Sequence, residues 1–253
     1  MLKKISYMTA GESHGKGLIG IIEGIPAGMN ITEEYIEKDL LRRMQGHGRG
    51  GRMKIEKDHA EIFSGVRHAI TLGSPISLLI KNFDWVNWED RMATGKPKKE
   101  HRKVTMPRPG HADLAGVMKY GLDDIRNVLE RSSARETAMR VAIGAVCRKL
   151  LEEVGITVGS RVYQIHNIVD DTPVSNNMSL KELNDTVDAS PVRCFDKAAE
   201  KKMMDVIDEA RNNGDSVGGS FEVIAKGLPY GLGTYINADG KLQARISQAM
   251  MSV

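Results

Sequence analysis

The fold is decided by residues 131–155, RSSARETAMRVAIGAVCRKLLEEVG. Ser133 and Glu136 have the spacing of a helix capping box, and Gly155 marks the end of the helical pattern. Apolar and small residues recur between them at helical spacing: Met139, Ala142, Ala145, Val146 and Leu150. We therefore predict a helix whose small residues allow close packing against another element.

Strand and helix patterns alternate on both sides of this helix. Strands are predicted at 3–8, 18–23, 61–66, 76–82, 156–165 and 219–226, and helices at 33–43, 179–187 and 196–213. A second capping box, Ser179 with Glu182, starts one of the helices. Residues 83–108 are polar, contain Trp85 and Trp88, and predict a long functional loop. With no repeat or linker, the pattern predicts one mixed unit over residues 1–253.

Composition excludes several classes of protein. The 36 basic and 33 acidic residues nearly balance, so no large nucleic-acid or membrane surface is expected. Cys147 and Cys194 belong to no CxxC pair or His/Cys cluster, so no metal site is expected. There is no signal-like start and no run of 18 apolar residues. A cytoplasmic enzyme is the expectation.

One motif must be rejected on its context. Residues 15–20, GKGLIG, fit G-x-G-x-x-G, and Asp39 lies at a suitable distance for a ribose ligand. The dinucleotide fingerprint requires these glycines to open a helix, whereas here they lead into a predicted strand. We therefore do not predict a dinucleotide fold.

Two histidines lie in glycine turns. GESHG, residues 11–15, holds Ser13 and His14, and RPGHADL, residues 108–114, holds Arg108 and His111. Polar turns without function are the alternative, but both histidines avoid apolar faces, which favours a functional role. A serine hydrolase is not indicated, because adjacent side chains such as those of Ser13 and His14 diverge.

Two arginine-rich segments predict anion binding. Arg131, Ser132, Ser133 and Arg135 surround a helix start, where backbone N–H groups lack partners. The loop RRMQGHGRGGR contains Arg42, Arg43, Arg49 and Arg52. It is short for an RNA-binding tract, so a phosphate clamp is the preferred interpretation. Together these features predict a pocket for a phosphorylated metabolite.

In this order the motifs strongly resemble the chorismate synthase family. The matches are GESHG, the arginine loop leading to FSG, RPGHAD, RSSARETAMRVAIGA, IEGIPAG, SPVRCFD, GDSVGG and GLPYGLG, from one end of the chain to the other. RPGHAD together with RSSARET is the specific pair, and we know of no other family with both.

The resemblance implies an α+β fold, a β-α-β sandwich in which antiparallel sheets enclose helices, assembled as a homotetramer. It also implies the last step of the shikimate pathway, which serves aromatic amino acid biosynthesis. That step is an anti-1,4 elimination of phosphate from 5-enolpyruvylshikimate 3-phosphate, giving chorismate. The family requires reduced FMN although there is no net redox change.

The resemblance also implies roles for individual residues. His14 would protonate the departing phosphate, and His111 would hydrogen-bond the reduced flavin near N1. Substrate phosphate and carboxylates would be held by Ser13, Arg43, Arg49, Arg108 and Arg135. The flavin would be contacted by Arg131, Ser132 and Ser133.

Two departures from the family pattern stand out. Family members continue past AMMSV, where this sequence stops, so we expect one C-terminally incomplete domain that binds FMN weakly. Met44 and Gln45 also stand where relatives often have Arg-Pro.

Two other functions stay open at this point. A flavin reductase would use Arg43 and Arg49 for the NADPH phosphate, and NADPH could equally serve the synthase as reductant. An RNA-binding protein would use GRGGR and the basic run KPKKEHRK. NADPH consumption would indicate the flavin reductase, and RNA affinity that persists at physiological salt would indicate the RNA-binding protein.

Overall fold

The structure is a computed structural model that describes residues 5–50 and 55–253. It divides into two compact units, one from the described parts of 1–43 and 51–147, the other from 44–50 and 148–253. All strand pairings in both are antiparallel, so the predicted α+β class is confirmed. The first residues of the strand predicted at 3–8, and Arg52, lie outside the described residues.

The first unit is built on a four-stranded sheet. Its strands are β1 (Ser6–Ala10), β2 (Gly17–Glu23), β3 (Ala60–Ser64) and β6 (Ile76–Lys81), in the order β1-β2-β6-β3. Leu18 and Ile22 are buried and alternate with exposed Ile19 and Ile21, as expected for a sheet with one covered face. Gly17–Glu23 is a strand, so the rejection of the dinucleotide motif is confirmed.

Helix α4 (Thr137–Glu153) covers that buried face. A Cβ on Gly20 of β2 would lie 2.6 Å from Met139 Sδ and 2.9 Å from Ile143 Cδ1. The close approach predicted from small helix residues is therefore made possible by a glycine on the strand. The predicted capping box at Ser133 and Glu136 is wrong. Ser133 caps a short 3-10 turn, while the Glu136 carboxylate accepts hydrogen bonds from Thr9 and Arg140.

The first unit contains further elements, some of them not predicted. They are α1 (Glu33–Met44), the hairpin of β4 (Val66–Arg67) and β5 (Ile70–Thr71), α2 (Asp113–Tyr120) and α3 (Arg126–Leu129). The last residue of α1, Met44, is assigned to the second unit. Residues 83–87 form a 3-10 turn, and the chain from there to α2 has no regular helix or strand, in agreement with the predicted loop.

The second unit contains the three-stranded sheet β8-β7-β9 and three helices. Its elements are β7 (Thr157–Ile165), β8 (Ile168–Val169), α5 (Leu180–Asp188), α6 (Lys197–Asn212), β9 (Gly219–Lys226) and α7 (Leu242–Met251). Ser179 and Glu182 form the predicted capping box of α5. Leu180, Leu183 and Val187 make one apolar cluster, and Met203 belongs to another. In the part of the chain that the structure describes, no helix is long and apolar enough to span a membrane.

Candidate active site

The turn that carries His14 is held rigidly at the end of β1. A Cβ on Gly11, which has φ 112°, would lie 2.4 Å from the carbonyl oxygen of Gly17, so only glycine fits. The Asn82 amide donates to the carbonyls of Glu12 and Gly15 at 3.1 and 2.8 Å. Fixed at both ends, the turn presents Ser13 and His14 in one orientation.

Glu130 is the main partner of His14. The His14 backbone N–H donates to Oε2 at 2.8 Å, and ring Nδ1 lies 3.0 Å from Oε1 and 2.9 Å from Oε2. The Glu130 side chain is 1% exposed and that of His14 is 21% exposed. A buried carboxylate thus holds one edge of a partly exposed ring. We did not identify Glu130 from the sequence, although it directly precedes RSSARET.

The charge of Glu130 is stabilised by its donors. Burial alone would raise the pKa of this carboxyl. The hydrogen bonds from the His14 ring and backbone, together with the charges of His14 and Arg126, outweigh burial and lower the pKa below its ordinary value. Arg126 Nη1 donates to Oε1 at 3.1 Å. Glu130 is therefore an anion at neutral pH.

Trp88 places an aromatic wall beside His14. The two rings are stacked with centroids 4.0 Å apart and an interplanar angle of 27°. The indole Nε1 donates to Asp84 Oδ2 at 2.9 Å, and the same oxygen lies 4.0 Å from His14 Nε2. The guanidinium of Arg126 lies 5.1 Å from the Trp88 ring centroid. Aromatic and charged neighbours together fix the plane of the imidazole.

Arg43 and Arg135 meet at a buried acidic pair. Arg135 pairs with Asp58, lies 3.5 Å from Glu56, and donates through Nε to Asn82 at 2.9 Å. Arg43 donates to the other oxygen of Asp58 at 3.2 Å. Arg43 Nη2 also donates to Thr137 and the carbonyl of Ala134 at the start of α4. Both predicted substrate ligands are thus brought together, with much of their donor capacity engaged by carboxylates that the sequence analysis did not single out.

Arg108 and His111 share Asp113. Arg108 donates to Asp113 from its backbone N–H and from Nε, each at 3.0 Å, and His111 Nδ1 lies 2.5 Å from Oδ1. Asp113 is fully buried, whereas the Arg108 side chain is 53% exposed. The hydrogen bond from Arg108 is the main reason that the pKa of Asp113 is well below its usual range, despite its burial. Asp113 therefore orients both predicted site residues.

The remaining predicted residues have separate settings. Arg131 donates to the carbonyls of Thr9 and Gly11, and its side chain is 42% exposed. Ser132 donates to the carbonyl of Val128 at 2.8 Å. The Ser133 hydroxyl donates to that of Ser13 at 3.1 Å, which joins RSSARET to GESHG. Arg49 belongs to the second unit, where its Nε donates to the carbonyl of Gln45 at 3.0 Å.

A cavity of about 610 Å³ lies along residues 85–98. Its lining includes Lys16, Asp90, Lys96 and Lys98, but none of the described lining residues is a predicted site residue. The cavity therefore neighbours the motifs without containing the chemistry predicted for them. Among the described residues, 5–50 and 55–253, no group of three or more His, Cys, Asp or Glu side chains could hold a metal ion.

The chain is similar to known proteins over almost its whole length. The family model described as chorismate synthase matches residues 5–253. The chorismate synthase of Geobacillus sp. (strain WCH70) is 53% identical over 250 residues, and that of Bacillus subtilis (strain 168) is 52% identical over 252 residues. Both alignments cover 98% of this chain and 64% of the relative.

A solved structure agrees with these relatives. A crystal structure described as chorismate synthase matches with a TM-score of 0.79 and 41% identity, over 100% of this chain and 67% of that one. The present chain therefore spans 64% of the length of the curated relatives it matches. On the family model and these identities, the chain belongs to the chorismate synthase family.

Proposed function

We propose that the protein of which this chain is at least a part converts 5-enolpyruvylshikimate 3-phosphate to chorismate and phosphate. The proposal is supported by family membership and by one observation in particular. His14 is a partly exposed imidazole held by a buried carboxylate, in the same unit as Arg43, Arg108 and Arg135. A fixed imidazole among guanidinium groups suits the departure of a phosphate dianion.

The elimination needs a proton at the leaving oxygen. His14 donates a proton to the departing phosphate as the C–O bond breaks, and the bonding electron pair leaves with that oxygen. A proton is lost from the substrate ring in the same overall reaction, so no electrons are gained or lost. The guanidinium groups of Arg43, Arg108 and Arg135, with the Ser13 hydroxyl, bind the substrate's phosphate and carboxylates, because guanidinium is planar and permanently charged.

The residues present fit a reduced flavin. The Arg131 side chain is 42% exposed, which suits contact with an anionic cofactor. Arg131, Ser132 and Ser133 would hold FMN, and His111 would hydrogen-bond its ring system near N1. When bound, reduced FMN supplies electron density to the breaking C–O bond. Asp113 keeps His111 in one orientation for that contact.

The wider setting is proposed from the family. We expect a cytoplasmic homotetramer whose partner is the small-molecule substrate, with no nucleic acid or membrane involved. NADPH is the reductant to test for the flavin, with Arg43 and Arg49 as the residues for its phosphate. NADPH oxidation by purified protein with FMN would support this, and dependence on a separate reductase would contradict it.

The decisive experiment measures both products. The protein is incubated anaerobically with dithionite-reduced FMN and 5-enolpyruvylshikimate 3-phosphate, and chorismate absorbance and phosphate release are followed together. A preparation extended to the length of the relatives is assayed alongside. We expect the extended protein to form both products in equal amounts. The His14→Ala substitution should lower the rate of their formation about 1000-fold.

His59→Ala is the matched control. His59 lies in the same unit, its side chain is 50% exposed, and its partner Glu33 is not part of the site. We expect this variant to keep its activity. If the extended protein forms neither product, the proposed function is wrong.

A further inference from the structure

Glu130 holds His14 at two points. One contact is from the backbone N–H and the other is from ring Nδ1, and both reach the same carboxylate within 3.0 Å. A surface ion pair would leave the ring free to rotate. Here the backbone contact fixes the carboxylate relative to the turn, and the ring contact then fixes the imidazole relative to the carboxylate.

These contacts determine which ring nitrogen carries a hydrogen. An ionised carboxylate can only accept hydrogen bonds, so Nδ1 must be the donor. In the neutral ring Nε2 is then unprotonated, and in the imidazolium Nε2 carries the second proton. The same pair contributes to the low pKa of Glu130.

Other charged groups surround the pair. The Asp84 carboxylate lies 4.0 Å from Nε2. Arg126 pairs with Glu130 and lies 5.1 Å from the Trp88 ring centroid. Arg108 interacts electrostatically with Glu130 as well. Glu130 lies 2.9 and 3.0 Å from the ring, so it is the nearer of the two carboxylates.

We propose that Glu130 is a positioning residue for His14, fixing its Nδ1–H tautomer and leaving Nε2 as the nitrogen that releases a proton. The proton's destination, an oxygen of the departing phosphate, rests on the proposed function. After transfer the ring is neutral with hydrogen on Nδ1, and solvent restores the proton on Nε2. Glu130 itself stays ionised throughout, because it stabilises the imidazolium without taking its proton.

A purely structural role is the competing explanation. In that case Glu130 would serve only as the buried counter-ion of Arg126, at 3.1 Å, and would stabilise α3. Its removal would then change stability without changing the ring chemistry of His14. The two explanations therefore differ in what happens to the ring of His14 in protein that stays folded.

The first test uses the 253-residue chain and needs no catalysis. Long-range ¹H–¹⁵N spectra of the histidine rings report the tautomer, with the His14 signals assigned by their loss in His14→Ala. We expect the Nδ1–H tautomer in the unmodified protein. In Glu130→Gln, which keeps the shape and loses the charge, we expect the Nε2–H tautomer to be populated as well, because an amide can donate to Nδ1 as well as accept from it.

Glu136→Gln is the matched control, because Glu136 is a carboxylate of the same segment with partners Thr9 and Arg140 instead of His14. We expect Glu136→Gln to keep the Nδ1–H tautomer of His14. An Nε2–H tautomer in the unmodified protein would overturn the proposal, even if Glu130→Gln does not fold. So would a His14 ring that stays entirely in the Nδ1–H tautomer in folded Glu130→Gln.

The second test separates this proposal from the proposed function. In the extended protein, Glu130→Gln should lower kcat about 10- to 100-fold with KM unchanged, and Glu130→Asp should restore part of the loss. An active unmodified enzyme with full kcat in Glu130→Gln overturns the positioning role alone. An inactive unmodified enzyme contradicts the proposed function, while the tautomer result still decides the role of Glu130.

Discussion

Two histidines with buried carboxylate partners lie in the first unit, and the two pairs are built differently. His111 and Asp113 are two residues apart, so one turn at the start of α2 brings them together. His14 and Glu130 are 116 residues apart and meet because the turn after β1 lies against the end of α3. Both pairs use Nδ1, yet the first is a product of local backbone geometry and the second of tertiary packing.

The difference shows what each pair can do. Asp113 also binds Arg108, so its charge is shared between a histidine and an exposed guanidinium. The Glu130 carboxylate accepts hydrogen bonds from both the backbone N–H and the ring of His14. It also accepts one from Arg126, whose guanidinium lies near the Trp88 ring. We therefore propose that the His111 pair presents a binding surface and that the His14 pair controls one proton.

The largest expected effect tests this division of roles. His14→Ala should lower turnover about 1000-fold with reduced FMN binding unchanged. His111→Ala should weaken reduced FMN binding about tenfold, the effect of one charge-assisted hydrogen bond. Anaerobic flavin titration gives the flavin affinity and single-turnover kinetics give the turnover rate of both variants in the extended protein. An equal loss of flavin affinity in both variants would show that the two histidines do not have separate roles.

The next effect concerns stability and its dependence on pH. Asp113→Asn should lower the free energy of unfolding by about 2 kcal/mol at pH 7, because hydrogen bonds from Arg108 and His111 lose their charged acceptor. The folded-state pKa of Asp113 lies below its unfolded value, so the stabilisation is present above that unfolded value and is lost as pH falls towards the folded one.

Urea unfolding at pH 7 and pH 3 measures the change. The difference in free energy of unfolding between the unmodified protein and the variant should be smaller at pH 3 than at pH 7. An equal difference at both pH values would refute the charge explanation. Asp123→Asn is the control, because Asp123 pairs with Lys103 at the surface and should contribute little.

The smallest effect concerns the contact between the two histidine regions. A Cβ on Gly116 of α2 would lie 2.4 Å from Val128 Cγ1 of α3, just before Glu130. Gly116→Ala should therefore destabilise the protein by about 1.5 kcal/mol and shift the ring signals of both histidines. Gly144→Ala in α4, where a Cβ would meet nothing within 4 Å, should instead stabilise by about 0.5 kcal/mol. Thermal unfolding should show changes in stability of opposite sign for the two variants. A Gly116→Ala variant that is more stable than the unmodified protein would exclude close packing of α2 on α3.

The sequence predicted those parts of the fold that depend on local periodicity. The strand at 18–23, the apolar stripe of α4 and the capping box at Ser179 were all confirmed. The capping box at Ser133 was wrong because Thr9 and Arg140 compete for the Glu136 side chain. Helix α2 was not predicted, since it is short and begins inside a Pro/Gly turn.

The residues of the candidate site likewise fall into those that local sequence predicts and those that it does not. Both histidines could be selected from their glycine turns, and Asp113 stood in a motif already quoted. Nothing near His14 in the sequence points to Glu130, and nothing near Arg135 points to Asp58, because those contacts span 116 and 77 residues. Partners of this kind follow from the packing of the unit, which periodicity and motif spacing do not specify.

The long separation between His14 and Glu130 also bears on the order of folding. Closing a long loop costs more chain entropy than closing a turn, and contacts remote in sequence generally form late. The His111 pair can form with the first turn of α2, whereas the His14 pair must await the docking of α3 beside β1. During synthesis His14 leaves the ribosome long before its partner exists. A partly folded chain can therefore carry every local motif of this family and still lack the contact between His14 and Glu130.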